Sequence, residues 1–299
     1  MKDEVRPTKT FLLGVGAQKS GTSWLYYYLS RHPQCAMGRV KEYAVFDTIY
    51  MREQFGQRSA LRLNELAKMA KSRANKIKKK EPEGSNEDLL SLIDNIALEL
   101  DPDRYVDHFE RLLLRKPKAH LVGDITPEYS ALSADHYSEI RNMLIDAGFD
   151  VRVVFLMRDP VERCYSMLRM GDRNKSAQGK ALKDPAHVRF SEEAVMDWCE
   201  IRTRYDKTIP ALEAAFRPDE LFYAFYEEFI SAASIKELTT FLGIRFIDPD
   251  TDHMANRSPR DAELSAEAIA KVRSYYEPVY TFCKDRFGSA RIEGIWPHA

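Results

Sequence analysis

The segment Thr10-Phe-Leu-Leu-Gly14-Val-Gly16-Ala-Gln18-Lys19-Ser20-Gly21-Thr22-Ser23-Trp24 decides the fold. Its first part, residues 10–17, is a short continuous apolar run, the pattern of a strand buried on both faces of a parallel sheet. Its second part is polar. There Gly16 and Gly21 permit a tight turn in which successive backbone N–H groups point inward. Beyond Trp24, residues Leu25, Tyr28, Leu29 and His32 recur at the spacing of one helix face. A strand, a glycine turn and a helix in that order make a cradle for phosphate or a phosphate-like anion. The helix N-terminus supplies partial positive charge, Ser20, Thr22 and Ser23 supply hydroxyls, and Lys19 supplies a full charge at the mouth.

The nearest general pattern is the nucleoside-triphosphate loop, G-x-x-x-x-G-K-[ST]. Gly16 and Gly21 keep its spacing, but Thr22 stands in the lysine position and the lysine has moved to position 19. That displacement counts against the first competing reading, a P-loop kinase using ATP and magnesium. The second is a nucleotide-binding relative without turnover.

Outward from this segment, three more β-rich runs appear: 119–123 (AHLVG), 151–157 (VRVVFLM) and 220–226 (ELFYAFY). Each precedes a helical pattern. The alternation predicts an α/β fold with a central parallel sheet flanked by helices, in one domain over residues 1–299. After the 151–157 run, Asp159 is an N-cap, Pro160 suits the first helical position and Glu162 completes a capping box. Val161, Cys164, Tyr165 and Leu168 mark the apolar stripe of that helix, with Arg163, Ser166 and Arg169 off it. Arg158 then ends a strand and Ser166 sits about two turns into the next helix. Polar stretches near 68–88 and 171–190 read as exposed insertions. Residues 265–287 read as a helix kinked at Pro278 and closed by Gly288.

The chain has 299 residues, 44% of them apolar, enough for a sizeable core. Its charges nearly cancel, at -1 overall, which argues against a nucleic-acid coat. The four cysteines form no C-x-x-C pair and no zinc spacing, so free thiols in a reducing compartment are expected. No apolar run is long enough to span a bilayer. A cytoplasmic protein without a membrane span is the expectation.

Two segments carry a family resemblance. QKSGTSWL (18–25) resembles the 5′-phosphosulfate loop of sulfotransferases that use 3′-phosphoadenosine 5′-phosphosulfate (PAPS). VVFLMRDPVERCYS (153–166) resembles the 3′-phosphate motif of the same family, a strand ending in arginine and then a helix carrying serine. The resemblance implies a P-loop-like sulfotransferase fold and transfer of a sulfonate from PAPS to a hydroxyl or amine, leaving PAP. Gln18, Lys19, Ser20, Gly21, Thr22, Ser23, Arg158 and Ser166 would hold the nucleotide. An arginine fork with a hydroxyl suits a phosphate monoester. Arg158-Asp159 also fits a capping and salt-bridge pair, or a magnesium-binding strand end. Trp24 either stacks on adenine or belongs to the core.

The run Lys41-Glu42-Tyr43-Ala44-Val45-Phe46-Asp47 looks like the segment supplying the catalytic glutamate of heparan-type carbohydrate sulfotransferases. On that reading Glu42 is the base and Lys19 stabilises the leaving group; otherwise Glu42 pairs with Lys41 or Arg39. Two departures bear on the acceptor: Ala44 replaces a histidine of some relatives, and Ile125 replaces the lysine of their EK-[ST]-P-x-Y element. Asp124, within Gly123-Asp-Ile-Thr-Pro-Glu-Tyr129, is either a second candidate base or a turn cap. Arg202-Thr-Arg-Tyr205 resembles an R-x-x-Y element near the nucleotide, which places Tyr205 there. Residues 256–260 lie where the family has a basic loop. No metal is called for. The acceptor class stays open between a glycan and other small molecules, and the basic run 71–80 is read as a solvated insertion or a steering patch for an anionic glycan.

Overall fold

The computed structural model describes residues 9–80, 86–251 and 262–299. Its four strands are β1 (Thr10–Gly16), β2 (Leu121–Ile125), β3 (Asp150–Met157) and β4 (Leu221–Phe225). They form one parallel sheet in the order β2-β1-β3-β4. These are the four apolar runs of the sequence. The second begins two residues later than its run and draws Asp124 and Ile125 into the sheet.

Period-two alternation gives each face its own core. Phe11, Leu13, Val15, Val153 and Phe155 pack to one side, with Tyr105, Phe109 and Tyr129. Leu12, Val154 and Leu156 pack to the other, against Trp24, Leu25 and Leu29 of α1 (Thr22–Arg31). Burial on both sides leaves the strand ends as the place for polar chemistry. Because all four strands run the same way, β1, β2, β3 and β4 deliver Lys19, Glu128, Arg158 and Tyr226 to one edge, where ligands bind in open α/β sheets.

Several helices carry the site. In chain order they are α2 (Gln57–Lys79), α3 (Arg104–Arg115), α4 (Ala134–Asp146), α5 (Pro160–Ala177) and α6 (Tyr205–Ala215). Two of them, α2 and α5, correct the sequence reading. The basic run is exposed but helical through Lys79, because its polar residues are good helix formers and Leu66 and Met69 turn a face inward. Residues 171–177, expected in an insertion, continue α5. Arg163, off the apolar stripe, is completely buried: its guanidinium donates to the Cys199 carbonyl at 3.2 Å and lies 3.0 Å from the Cys199 sulfur. At the other end, the chain breaks at Tyr276 between helices Ala266–Tyr275 and Glu277–Phe287, where one kinked helix was expected. Pro278 sits in the first turn of the second, the position proline tolerates. The four cysteines are free and buried. The 256–260 segment lies outside the described residues.

Asp124 ties the chain after α1 to the sheet. One carboxylate oxygen accepts from Thr126 Oγ1 at 2.7 Å and from the Tyr43 N–H at 3.4 Å. The other accepts from the hydroxyls of Tyr129 at 2.7 Å and Tyr105 at 3.1 Å. Complete burial still pushes its pKa up to about 6, against the lowering effect of those donors. The stability this group contributes is therefore full below its ordinary value near 3.8 and is lost as pH rises through about 6. Replacing it strands four buried donors. Asp124→Ala is expected to lower the unfolding free energy by about 3 kcal/mol. It should also flatten the pH dependence between about 4 and 6 in denaturant titrations.

Candidate active site

The loop between β1 and α1 takes its shape from backbone demands. Gly16 has φ +124°, and a Cβ there would lie 2.8 Å from the Pro127 carbonyl oxygen. The turn after β2 is thus pressed against the start of the loop. Lys19 itself occupies the left-handed region, φ 69°. Gly21 is the N-cap of α1 and no side chain caps it, so the first-turn N–H groups stay available to a ligand. Ser20 is fully buried, and its hydroxyl has no partner among the described residues.

Lys19 lies 3.7 Å from the Met170 sulfur of α5. Its pKa falls from 10.5 to about 8, first through burial and then through the positive charges of Arg173, Arg158, Arg169 and Lys41. Every charge that shifts it is a cation. Arg158, at the end of β3, donates to the Lys19 carbonyl at 3.3 Å and pairs with Glu162 at 3.4 Å. Its guanidinium lies over the Tyr226 ring at 4.5 Å, and its Nε is buried without a partner among the described residues. The Tyr205 hydroxyl, which sequence places near the nucleotide, donates to the Arg158 carbonyl at 3.0 Å. Tyr205 braces Arg158 from behind.

Asp159 is buried and caps α5 by accepting from the Glu162 N–H at 3.0 Å. It also accepts from the Tyr280 hydroxyl at 3.2 Å and from the His298 N–H at 3.1 Å. Arg158 therefore leaves β3 with a braced residue on either side. Ser166 is buried along α5 on the same side as Arg169 and Arg173, at i+3 and i+7. Trp24 takes the core alternative: its ring stacks on Tyr28, meets Phe229 edge-on, and its indole N–H donates to the Asp250 carbonyl at 3.2 Å.

On the far side of the loop, the segment after Lys41 hangs from the end of β2. Ala44 N–H donates to Thr126 Oγ1 at 3.2 Å and Val45 N–H to the Tyr129 hydroxyl at 3.1 Å, beside the Tyr43–Asp124 bond. Glu42 is ion-paired with Lys41, and its side chain is 43% exposed, open to a ligand. Its charge bears on Arg58 of α2. Asp124 has zero exposure and every contact taken up within the chain, the geometry of a brace.

Charged residues that the sequence did not single out complete the ring: Lys41, Arg169 and Arg173 round Lys19, and Arg58, Glu128 and Arg202 beside Gln18. The first group had a signal, since Arg169 and Arg173 follow Ser166 at helical spacing. In the second, Arg202 and Glu128 fall within the R-x-x-Y and Gly123–Tyr129 elements, Arg58 had no signal, and nothing announced that the three would meet.

A family model described as the sulfotransferase family matches residues 12–248. Among solved structures, a sulfotransferase from Alicyclobacillus acidocaldarius is 18% identical, with 94% of this chain and 95% of that one covered and a TM-score of 0.58. A sulfotransferase domain from the curacin biosynthetic pathway is 15% identical over 88% of this chain and 82% of that one, with a TM-score of 0.42. The first of these is a likeness of fold. No curated protein matches the chain.

Burial comes first among the causes that depress Lys19, and removing the largest cationic contributor relieves part of the remainder. Arg173→Gln is expected to raise the Lys19 pKa from about 8 toward 10.5. The pH dependence of competitive acetylation at Lys19 measures this, and an unchanged midpoint would remove Arg173 from the causes.

Proposed function

Because the chain belongs to the sulfotransferase family, we propose that it moves a sulfonate group from PAPS to a hydroxyl or amine of a small acceptor. The observation that carries this reading is the half-enclosed Lys19, ringed by Arg158, Arg169, Arg173 and Lys41 at the N-terminus of α1. Such a site is unfavourable for the lysine alone and favourable once a multiply charged anion enters.

The residues present fit the donor. The buried Ser20 hydroxyl and Arg158 Nε have no partners among the described residues, and both can donate to phosphate-type oxygens. Lys19 and the first-turn N–H groups of α1 would hold the 5′ end, with Arg158 and Ser166 on the 3′-phosphate. The donor supplies an activated sulfonate whose leaving group is a phosphate. Lys19 and the loop amides stabilise charge developing there, and no metal is required of the protein for that task. Glu42, the exposed carboxylate beside Lys41, accepts the acceptor's proton. Asp124 fixes the segment bearing Glu42. No helix among the described residues is long and apolar enough to cross a membrane.

The arrangement also favours PAP over ATP, since the lysine precedes Gly21. PAP is expected to raise the melting temperature strongly and ATP with magnesium is not. PAP affinity should fall as pH rises through about 8, because Lys19 then loses its proton, with Kd rising by up to tenfold per pH unit. With radiolabelled PAPS and an accepted substrate, Glu42→Gln is expected to cut kcat by about 100-fold or more while PAP binding is unchanged. Full activity in that variant would remove Glu42 as the base.

A further inference from the structure

Next to the loop lies a buried charge cluster that shares only Gln18 with the residues expected to hold the donor. Glu128, in the turn after β2, is 5% exposed, and all its contacts fall on one oxygen. Oε1 is 3.3 Å from Arg58 Nη2, 3.5 Å from Arg202 Nη2 and 3.5 Å from the Gln18 side-chain amide nitrogen. These are long contacts for charged partners. Glu128 Oε2 is buried with no partner, and so are Asp47 Oδ1 and the Gln18 side-chain carbonyl. Asp47 binds the same Arg58 through its other oxygen at 2.5 Å. Three hydrogen-bond acceptors from three separate segments thus lie on side chains joined through Arg58 and Glu128 without donors among the described residues, as does one donor without an acceptor, Arg202 Nε, a rare condition for buried polar atoms.

Their chemistry restricts the occupant. Acceptor atoms need O–H or N–H groups, so a ligand rich in donors suits them. The two carboxylates of Asp47 and Glu128 balance the two guanidiniums of Arg58 and Arg202, which leaves no net charge to attract an ion. Arg202 and Phe55 also line an open cavity of about 520 Å³, within the usual size of small-ligand sites, together with the half-exposed Trp198. Arg58 and Arg202 both stack on Phe55, at 5.4 and 4.9 Å, which fixes the cluster at the cavity wall.

We propose that Gln18, Asp47 and Glu128, braced by Arg58 and Arg202, form the acceptor subsite, and that they take an uncharged, hydroxyl-rich molecule of the monosaccharide or cyclic-polyol class. The proposal rests on the sulfonate-transfer reading above for the reaction, though not for the binding. A hydroxyl donating to Glu128 Oε2 would sit beside Gln18 and so next to Lys19, where transfer takes place. Anionic sugars place further acceptors against acceptors at this cluster.

Two arms test it. In the first, methyl glucoside and myo-inositol are titrated calorimetrically into the protein alone, against glucuronate and inositol phosphate. The neutral ligands are expected to bind at least tenfold more tightly, and Glu128→Gln and Asp47→Asn to weaken them by tenfold or more. In the second, the same compounds are offered with radiolabelled PAPS. Each variant is expected to raise the acceptor KM by tenfold or more with kcat within about threefold, while PAP still raises the melting temperature as in the parent protein. That last shift shows that the variants are folded. Preference for the charged ligands, no binding or transfer of any neutral one, or an unchanged KM in both variants would overturn the subsite. If neutral ligands bind and PAP has no effect on the parent protein, the subsite stands and the donor reading falls.

Discussion

Burial of Lys19, together with repulsion from the positive groups round it, is the constraint on which the rest of the architecture depends. Moving the lysine's pKa from 10.5 to about 8 corresponds to roughly 3 kcal/mol against its charged form. The free protein must hold that arrangement with no anion present. It does so from the backbone outward. Gly16 seats the loop against the turn after β2, Arg158 is hooked to the Lys19 carbonyl, and Tyr205 and Asp159 hold Arg158 and the start of α5. Both cores of the sheet stand behind these braces. The fold is in this sense a frame for keeping cations closer together than water would allow.

The parts of this frame that were legible in the sequence are those encoded locally. The apolar runs at 10–17, 119–123, 151–157 and 220–226 became the four strands because a sheet covered on both sides needs continuous hydrophobic segments. The glycine spacing 16/21 and the Asp159-Pro160 start of α5 are likewise short-range signals. Misreadings came from local pattern meeting tertiary context. The lysine-rich stretch looks like a solvated connection by composition, yet α2 continues through it because such residues lose little on entering a helix. Arg163 lies off the apolar stripe and is nonetheless buried, with its guanidinium donating to a neighbouring helix end that no periodicity can announce.

The candidate acceptor side was much less legible. Glu42 lies in a recognisable segment, but Asp47, Arg58, Glu128 and Arg202 meet only because β2 runs beside β1 and its following turn packs on the loop. Residues separated by seventy positions or more leave no joint mark in a single sequence. Asp124 illustrates the same limit from the other side: as a residue type at a strand end it suits a base or a brace equally, and only its four donors tell the two apart.

The bond from the His298 amide to Asp159 has a meaning in time as well as in space. A ribosome lays down β1, its loop, β3 and Arg158 long before it reaches position 298. The His298 bond to the capping Asp159 therefore forms only after a further 139 positions have been synthesised. Polypeptides cut short before that point would carry the anion loop without its final brace. Nascent intermediates that lack His298 would thus lack the fully braced arrangement.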